Sequence, residues 1–192
     1  MVLLDRSTSM RQHGEEAVSG CIDAVTRGPA RHAVVMFFTE RPFLAYEGPS
    51  GAAAGDAVAK AAISTPCKGQ TAYYDSVVCA VAKVERRRPG DSVVLVVATD
   101  GADNASKIVT AEACSKVLKR VQEVSGWEVR FLGIAHRHGA GRRELTRSAR
   151  ISGVIQPPTF CQSPRTVHET ICGLSRGLAR RRTTNDHTQT IG

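Results

Sequence analysis

Short apolar runs alternate along the chain with longer segments in which apolar residues recur three and four positions apart. The runs are rich in valine, and each is followed by polar or glycine residues; they cover residues 2–4, 33–38, 93–98 and 129–134. Runs of this length are typical of strands buried on both faces. The intervening segments have the spacing of amphipathic helices, as at residues 17–25 and 74–84. The alternation predicts a doubly wound α/β fold with right-handed crossovers and a mainly parallel sheet covered by helices on both faces.

One segment after Thr39 departs from this alternation. Its sequence, ERPFLAYEGPSG, contains an Arg41–Pro42 turn and a short run at residues 43–47. The run follows the preceding strand too closely for a helical crossover. It therefore predicts an antiparallel strand at the edge of the sheet.

Three further helices are predicted from composition and from their start signals. The first is an alanine-rich helix from Ala52 to Ile63. The second follows its N-cap residue Thr110 and continues to Val124. The third begins at Ser163 and closes the chain. The last residues, 183–192, are polar and without pattern, which predicts a disordered tail.

Length and composition limit the class of protein. With 192 residues, of which 42% are hydrophobic, the chain is suited to one core, so we expect one domain over residues 1–182. The opening apolar stretch meets Asp5 at once, and no later apolar run approaches the roughly 20 residues of a membrane span. The six cysteines lack zinc-site spacing and are expected to be buried, reduced thiols: Cys21, Cys67, Cys79, Cys114, Cys161 and Cys172. A cytoplasmic protein without membrane contact fits these features best.

Positive charge is concentrated in the second half of the chain. The formal net charge is +8, and residues 130–182 contain eleven arginines but only two acidic residues. Such a region could be a solubilising surface or could contact nucleic acid, with Arg180, Arg181 and Arg182 as the residues to test.

Oxygen-bearing side chains follow two of the predicted strands and enter one of the predicted helices. Asp5, Ser7 and Ser9 form a D-x-S-x-S arrangement directly after the first strand, and Asp100 follows a later strand in the sequence Thr-Asp-Gly. Between them, Thr71 lies in the loop sequence GQTAYYD, which leads into a helix. In a doubly wound sheet, turns at the carboxyl ends of the strands line the crevice where ligands bind. We therefore expect these residues to converge at one rim of the sheet.

These three motifs, in this order, resemble the metal-ion-dependent adhesion site of von Willebrand factor A (VWA) domains, in particular bacterial ones. The resemblance covers nearly the whole chain and implies a six-stranded, Rossmann-like fold. It also implies that a Mg²⁺ ion, with Mn²⁺ as the alternative, is held by five residues, directly or through water: Asp5, Ser7, Ser9, Thr71 and Asp100. Thr8 departs from the family pattern, which usually has glycine at that position.

A magnesium ion in such a site suits the binding of an acidic partner. Mg²⁺ is a hard ion that requires oxygen ligands in near-octahedral geometry. Two aspartates roughly neutralise it, and hydroxyl ligands leave it electrophilic toward an incoming carboxylate. The expected function is a non-enzymatic, metal-dependent protein-interaction module whose partner presents an Asp or Glu side chain.

Other interpretations remain open at the level of sequence. The D-x-S-x-S segment alone could be a helix N-cap, and Asp75 and Asp103 fit helix-start or turn roles. His136 and His138 fit a solvated loop. A Mg²⁺-dependent phosphotransferase or phosphatase would use Asp5 as its nucleophile at the same rim.

Overall fold

A six-stranded sheet runs through the centre of the computed structural model, which describes residues 1–87, 92–100, 103–123, 127–134 and 159–161, with backbone alone for residues 87 and 159–161. Its strands are β1 (Val2–Asp5), β2 (His32–Phe38), β3 (Pro42–Pro49), β4 (Val94–Thr99), β5 (Glu128–Ile134) and β6 (Thr159–Cys161). Their order in the sheet is β3-β2-β1-β4-β5-β6. Every neighbouring pair is parallel except β2 and β3. The predicted mainly parallel sheet with one antiparallel edge strand is confirmed.

Helices cover both faces of the sheet, as predicted. They are α1 (Gly14–Arg27), α2 (Ala52–Ser64), α3 (Tyr73–Arg87) and α4 (Ala111–Glu123), and a 3-10 helix (Thr8–Gln12) precedes α1. Apolar residues of α1 and α2 pack in one core on one face, and those of α3 and α4 pack in a second core on the other. Thr110 is the predicted cap of α4, because its Oγ1 accepts a hydrogen bond of 3.2 Å from the backbone N–H of Ala113.

The central strand β1 is buried from both sides. Leu3 belongs to the core on the α3 and α4 face, Leu4 belongs to the core on the α1 and α2 face, and both side chains are 0% exposed. Leu4 pairs with Ala98 of β4, so the residues that follow these two strands lie next to each other. The packing of an apolar strand thus fixes the position of Asp5 at its carboxyl end.

The edge strand β3 differs in detail from the prediction. It covers Pro42–Pro49 rather than residues 43–47, and the chain turns at residues 39–41, before Pro42. A proline at the start of an edge strand removes no hydrogen bond that the ladder needs. At the opposite edge, β6 completes the predicted count of six, although no apolar run located it in the sequence.

The cysteine prediction is partly wrong. Cys21 and Cys114 are buried and Cys67 is half-buried, but Cys79 is exposed; all four are free thiols. Ala80 and Val81 of α3 face the core, which leaves Cys79 on the outer side of the helix. Burial raises the pKa of the Cys114 thiol to about 12, and the negative charge of Asp103 adds to this effect.

Several predictions fall on residues that the structure does not describe. They concern the domain end at residue 182 and the tail at 183–192, the closing helix from Ser163, the side chains of Cys161 and Cys172, the pair His136 and His138, and the arginines Arg180, Arg181 and Arg182. Among the helices that are described, none is long and apolar enough to cross a membrane.

Candidate metal centre

Asp5 ends β1 at the carboxyl rim of the sheet and is fully buried. Its Oδ1 accepts a hydrogen bond of 2.7 Å from the backbone N–H of Ser7, and its Oδ2 accepts one of 2.5 Å from the hydroxyl of Thr99. Thr99 is the last residue of β4 and is also buried. The carboxylate is therefore held in one orientation by groups from its own turn and from the neighbouring strand.

Two serine hydroxyls connect this region to the second carboxylate. The hydroxyl oxygens of Ser7 and Ser9 lie 3.1 Å apart, and the hydroxyl of Ser9 donates a hydrogen bond of 2.7 Å to Oδ1 of Asp100. Ser7 and Asp100 are buried, whereas Ser9 is exposed to solvent. The four residues form one hydrogen-bonded chain between two buried carboxylates, and Ser9 within that chain lies at the protein surface.

Simple helix capping does not explain this arrangement. Ser7 occupies the N-cap position of the 3-10 helix, but its side chain makes no capping hydrogen bond. Its hydroxyl instead contacts Ser9. The N-cap interpretation of the D-x-S-x-S segment is therefore wrong for Ser7.

Thr71 reaches the same rim through its backbone. Its N–H donates to Oδ1 of Asn104 (2.7 Å), and its carbonyl accepts from the N–H of Asn104 (3.0 Å). The loop before it contacts the D-x-S-x-S segment, because the N–H of Thr8 donates to the carbonyl of Gly69 (3.1 Å). Four of the five predicted residues thus share a hydrogen-bond network, and the buried Thr71 lies in a loop fastened to both sides of that network.

Burial dominates the electrostatics of this region. Burial raises the pKa of Asp5 from 3.8 to about 6; the negative charge of Asp100 adds to the rise, while hydrogen bonds from Thr99 and Ser7 oppose it. Burial likewise raises the pKa of the nearby Cys67 thiol, and the charges of Asp5 and Asp100 contribute to this shift. Buried charges in proteins are paired with an opposite charge or coordinate a metal.

Arg6 is a neighbour of the site that sequence reasoning missed. Arg6 is 6% exposed, and its guanidinium donates to the carbonyls of Thr65 (3.0 and 2.8 Å), Gly14 (3.1 Å) and Ala62 (3.2 Å). It also lies over the ring of Phe37, 5.8 Å from the centroid. These hydrogen bonds to backbone carbonyls connect the turn after β1 to the end of α2. An arginine directly after a buried strand was the available signal.

Hydrogen bonds of Asp75 and Asp103 connect residues 103–109 to the start of α3. Oδ1 of Asp103 accepts from the N–H of Tyr74 (3.3 Å), which confirms its expected helix-start role. Asp75 also lies at a helix start, in the first turn of α3, and its carboxylate accepts the backbone N–H groups of residues 107–109. No local pattern predicts these partners, which lie 32 to 34 residues further along the chain.

The donor set fits a hard divalent cation. Within the part of the chain that the structure describes, no group of three or more His, Cys, Asp or Glu side chains could hold a metal ion. The donors at this rim are carboxylate and hydroxyl oxygens, which are suitable ligands for Mg²⁺ and poor ones for softer metals.

Comparison with known proteins gives a structural likeness only. A scan against protein-family models and a search of curated protein sequences each found no match. Solved structures do match over most of the chain. The open conformation of the pilus adhesin SpaC from Lactobacillus rhamnosus GG has a TM-score of 0.71 at 16% identity and covers 91% of this chain. A von Willebrand factor type A structure from Catenulispora acidiphila has a TM-score of 0.67 at 17% identity and also covers 91%.

A third match is the manganese-loaded TRAP protein of Plasmodium vivax, with a TM-score of 0.59, 15% identity and 86% coverage of this chain. The present chain spans 29% of the SpaC chain, 41% of the Catenulispora chain and 68% of the TRAP chain. TM-scores of 0.59 to 0.71 over most of the chain indicate a shared fold. The chain therefore has the fold of von Willebrand factor A domains.

Proposed function

We propose that this chain is a non-enzymatic protein-interaction module that binds Mg²⁺ or Mn²⁺ and uses the cation to hold an acidic side chain of a protein partner. The hydroxyls of Ser7, Ser9 and Thr71 and the carboxylates of Asp5 and Asp100 would hold the ion, directly or through water. The bound cation would supply a positive charge at the rim that attracts a carboxylate.

One observation carries the proposal: hydrogen bonds of the Ser7 backbone N–H and of the Ser7 and Ser9 hydroxyls join two buried carboxylates, and Ser9 is exposed to solvent. A purely structural cluster has no need of an opening. A cation bound here would compensate the buried negative charge and still offer a coordination position to a ligand from outside. Among the structurally similar proteins, one is a pilus adhesin and another is manganese-loaded, which agrees with this role.

Metal uptake is the first test. We expect the purified chain to bind Mn²⁺ and Mg²⁺ in calorimetric titrations and Asp100→Ala to lose most of this binding, because the change removes one of two carboxylates. Asp56→Ala is the matched control, since Asp56 is exposed on α2. Absence of uptake by the folded wild-type chain would remove the basis of the proposal.

Partner binding is the second test. Proteins retained by the immobilised chain in Mg²⁺ and released by EDTA should be lost with Asp5→Ala, and replacing the acidic residues at their contact sites should abolish the interaction. Equal retention of the same proteins by Asp5→Ala would contradict metal-mediated capture. Magnesium-dependent turnover of generic phosphate esters, lost with the same variant, would instead indicate the phosphatase alternative.

We also propose the cytoplasm as the location; the four cysteines whose side chains the structure describes are free thiols, which suits a reducing compartment. Fractionation of the source cells followed by immunodetection would test this. Nucleic-acid association stays a prediction, because the arginines that would test it lie outside the described residues.

A further inference from the structure

We propose that Asp75 is a positioning residue for the candidate metal centre: through backbone hydrogen bonds it holds the segment after Asp100, residues 103–109, against the loop that carries Thr71. This inference rests on the proposed function, since it concerns how two of the metal-binding residues are kept in place.

The carboxylate of Asp75 is an acceptor for three consecutive backbone N–H groups. Its Oδ2 accepts from Lys107 (2.9 Å), and its Oδ1 accepts from Ile108 (3.2 Å) and Val109 (2.7 Å). Asp75 lies in the first turn of α3, so its position is fixed by a helix that packs in the core. Three hydrogen bonds to one carboxylate restrain the backbone of this short stretch from a rigid base.

The first half of the segment is attached to the same helix start by a second set of bonds. The hydroxyl of Ser106 accepts from the N–H of Asp75 (3.0 Å) and donates to Asp103. The carbonyl of Thr71 accepts the N–H groups of Asn104 (3.0 Å) and Ala105 (3.1 Å). Segment 103–109 is therefore hydrogen-bonded to Thr71 near its beginning and to Asp75 at its end.

Packing cannot replace the bonds of Asp75 at the tip of the segment. The side chain of Ile108 is 89% exposed and Lys107 is also exposed, and of the three residues only Val109 packs partly against the core. Hydrogen bonds to a charged acceptor are worth more than neutral ones, so the carboxylate of Asp75 is the main restraint there. Loss of that restraint frees segment 103–109 and loosens its contact with Thr71.

The test combines a measurement without metal and one with Mn²⁺ alone. In the metal-free protein, we expect Asp75→Ala to accelerate amide hydrogen exchange at residues 107–109 by about tenfold or more, because their acceptor is removed. Mn²⁺ affinity should fall by about tenfold, as for other residues that orient metal ligands. Asp75→Asn keeps one acceptor oxygen and should give smaller changes of both kinds. Asp56→Ala, at an exposed position on α2, should change neither.

A merely structural role would lower the melting temperature of Asp75→Ala without changing the Mn²⁺ affinity of the folded protein, and that result would overturn the inference. Unchanged exchange at residues 107–109 would overturn it as well. Should Asp75→Ala fail to fold, Asp75→Asn decides by the same two measurements. If the wild-type chain takes up no Mn²⁺, the proposed function fails and this inference fails with it. If wild type and the Asp75 variants bind Mn²⁺ with equal affinity, the positioning role is refuted and the proposed function stands.

Discussion

At the scale of single residues, Asp5 combines complete burial with a titratable charge. Its pKa is raised to about 6 in the folded chain, against 3.8 for an exposed aspartate. Between these two pH values the folded state keeps a proton that the unfolded state has lost, so the free energy of unfolding falls as the pH rises. The loss becomes complete about one pH unit above the folded-state pKa and amounts to about 3 kcal/mol.

This gives a prediction for the metal-free protein. Urea unfolding between pH 4 and pH 7 should show wild type losing more stability with rising pH than Asp5→Asn, which carries no titrating group at this position. Asp56→Asn makes the same chemical change at an exposed position and should follow wild type. Parallel curves for wild type and Asp5→Asn would contradict the effect of burial on this carboxyl group.

The identity and order of the residues were enough to predict which side chains form the candidate site. They were not enough to predict the hydrogen bonds that hold these residues in place. The sequence places Asp5 and Asp100 after buried strands, and the register of β1 against β4 brings those strand ends together. The bonds of Arg6 to α2 and its C-cap residue Thr65, and those of Asp75 to residues 107–109, were not predictable, because they join side chain to backbone across a long stretch of sequence. Such contacts depend on how loops pack, and no local pattern records them.

At the scale of elements, strands and helices were predictable where burial is continuous. The apolar runs of β1, β2, β4 and β5 were recognisable because both faces of a central strand are buried. The edge strand β3 is only half-buried, so its ends were misjudged. A strand of three residues such as β6 is too short for any periodicity to show.

The backbone conformation of the loop before α3 depends on one glycine. Gly69 has a positive φ of 76°, and a Cβ atom there would lie 3.1 Å from Oε1 of Glu40. We expect Gly69→Ala to lower the free energy of unfolding by about 1 kcal/mol, through backbone strain. Gly69→Asn should cost less, because asparagine tolerates positive φ better. Urea denaturation of the three proteins decides, and equal losses for Ala and Asn would refute backbone strain as the cause.

At the scale of the whole molecule, the candidate site joins three distant parts of the chain. Asp5 with its two serines follows β1, Thr71 precedes α3, and Asp100 follows β4. These residues come together only in the folded state, because the two strands and the loop meet at one rim through tertiary contacts. An ion held by all of them binds the folded chain and not the unfolded one, so it must stabilise the fold.

The size of this stabilisation follows from mass action. At a free Mg²⁺ or Mn²⁺ concentration of about one hundred times Kd, the folded state gains about 2.7 kcal/mol, which raises the melting temperature of a domain of this size by about 5 to 10 °C. Differential scanning calorimetry in saturating metal and in EDTA should show this difference for wild type and for Asp56→Ala. Asp5→Ala and Asp100→Ala should melt at the same temperature in both conditions, since each removes one of the two charges that attract the ion. A shift that persists in both variants would locate the stabilising ion elsewhere in the molecule.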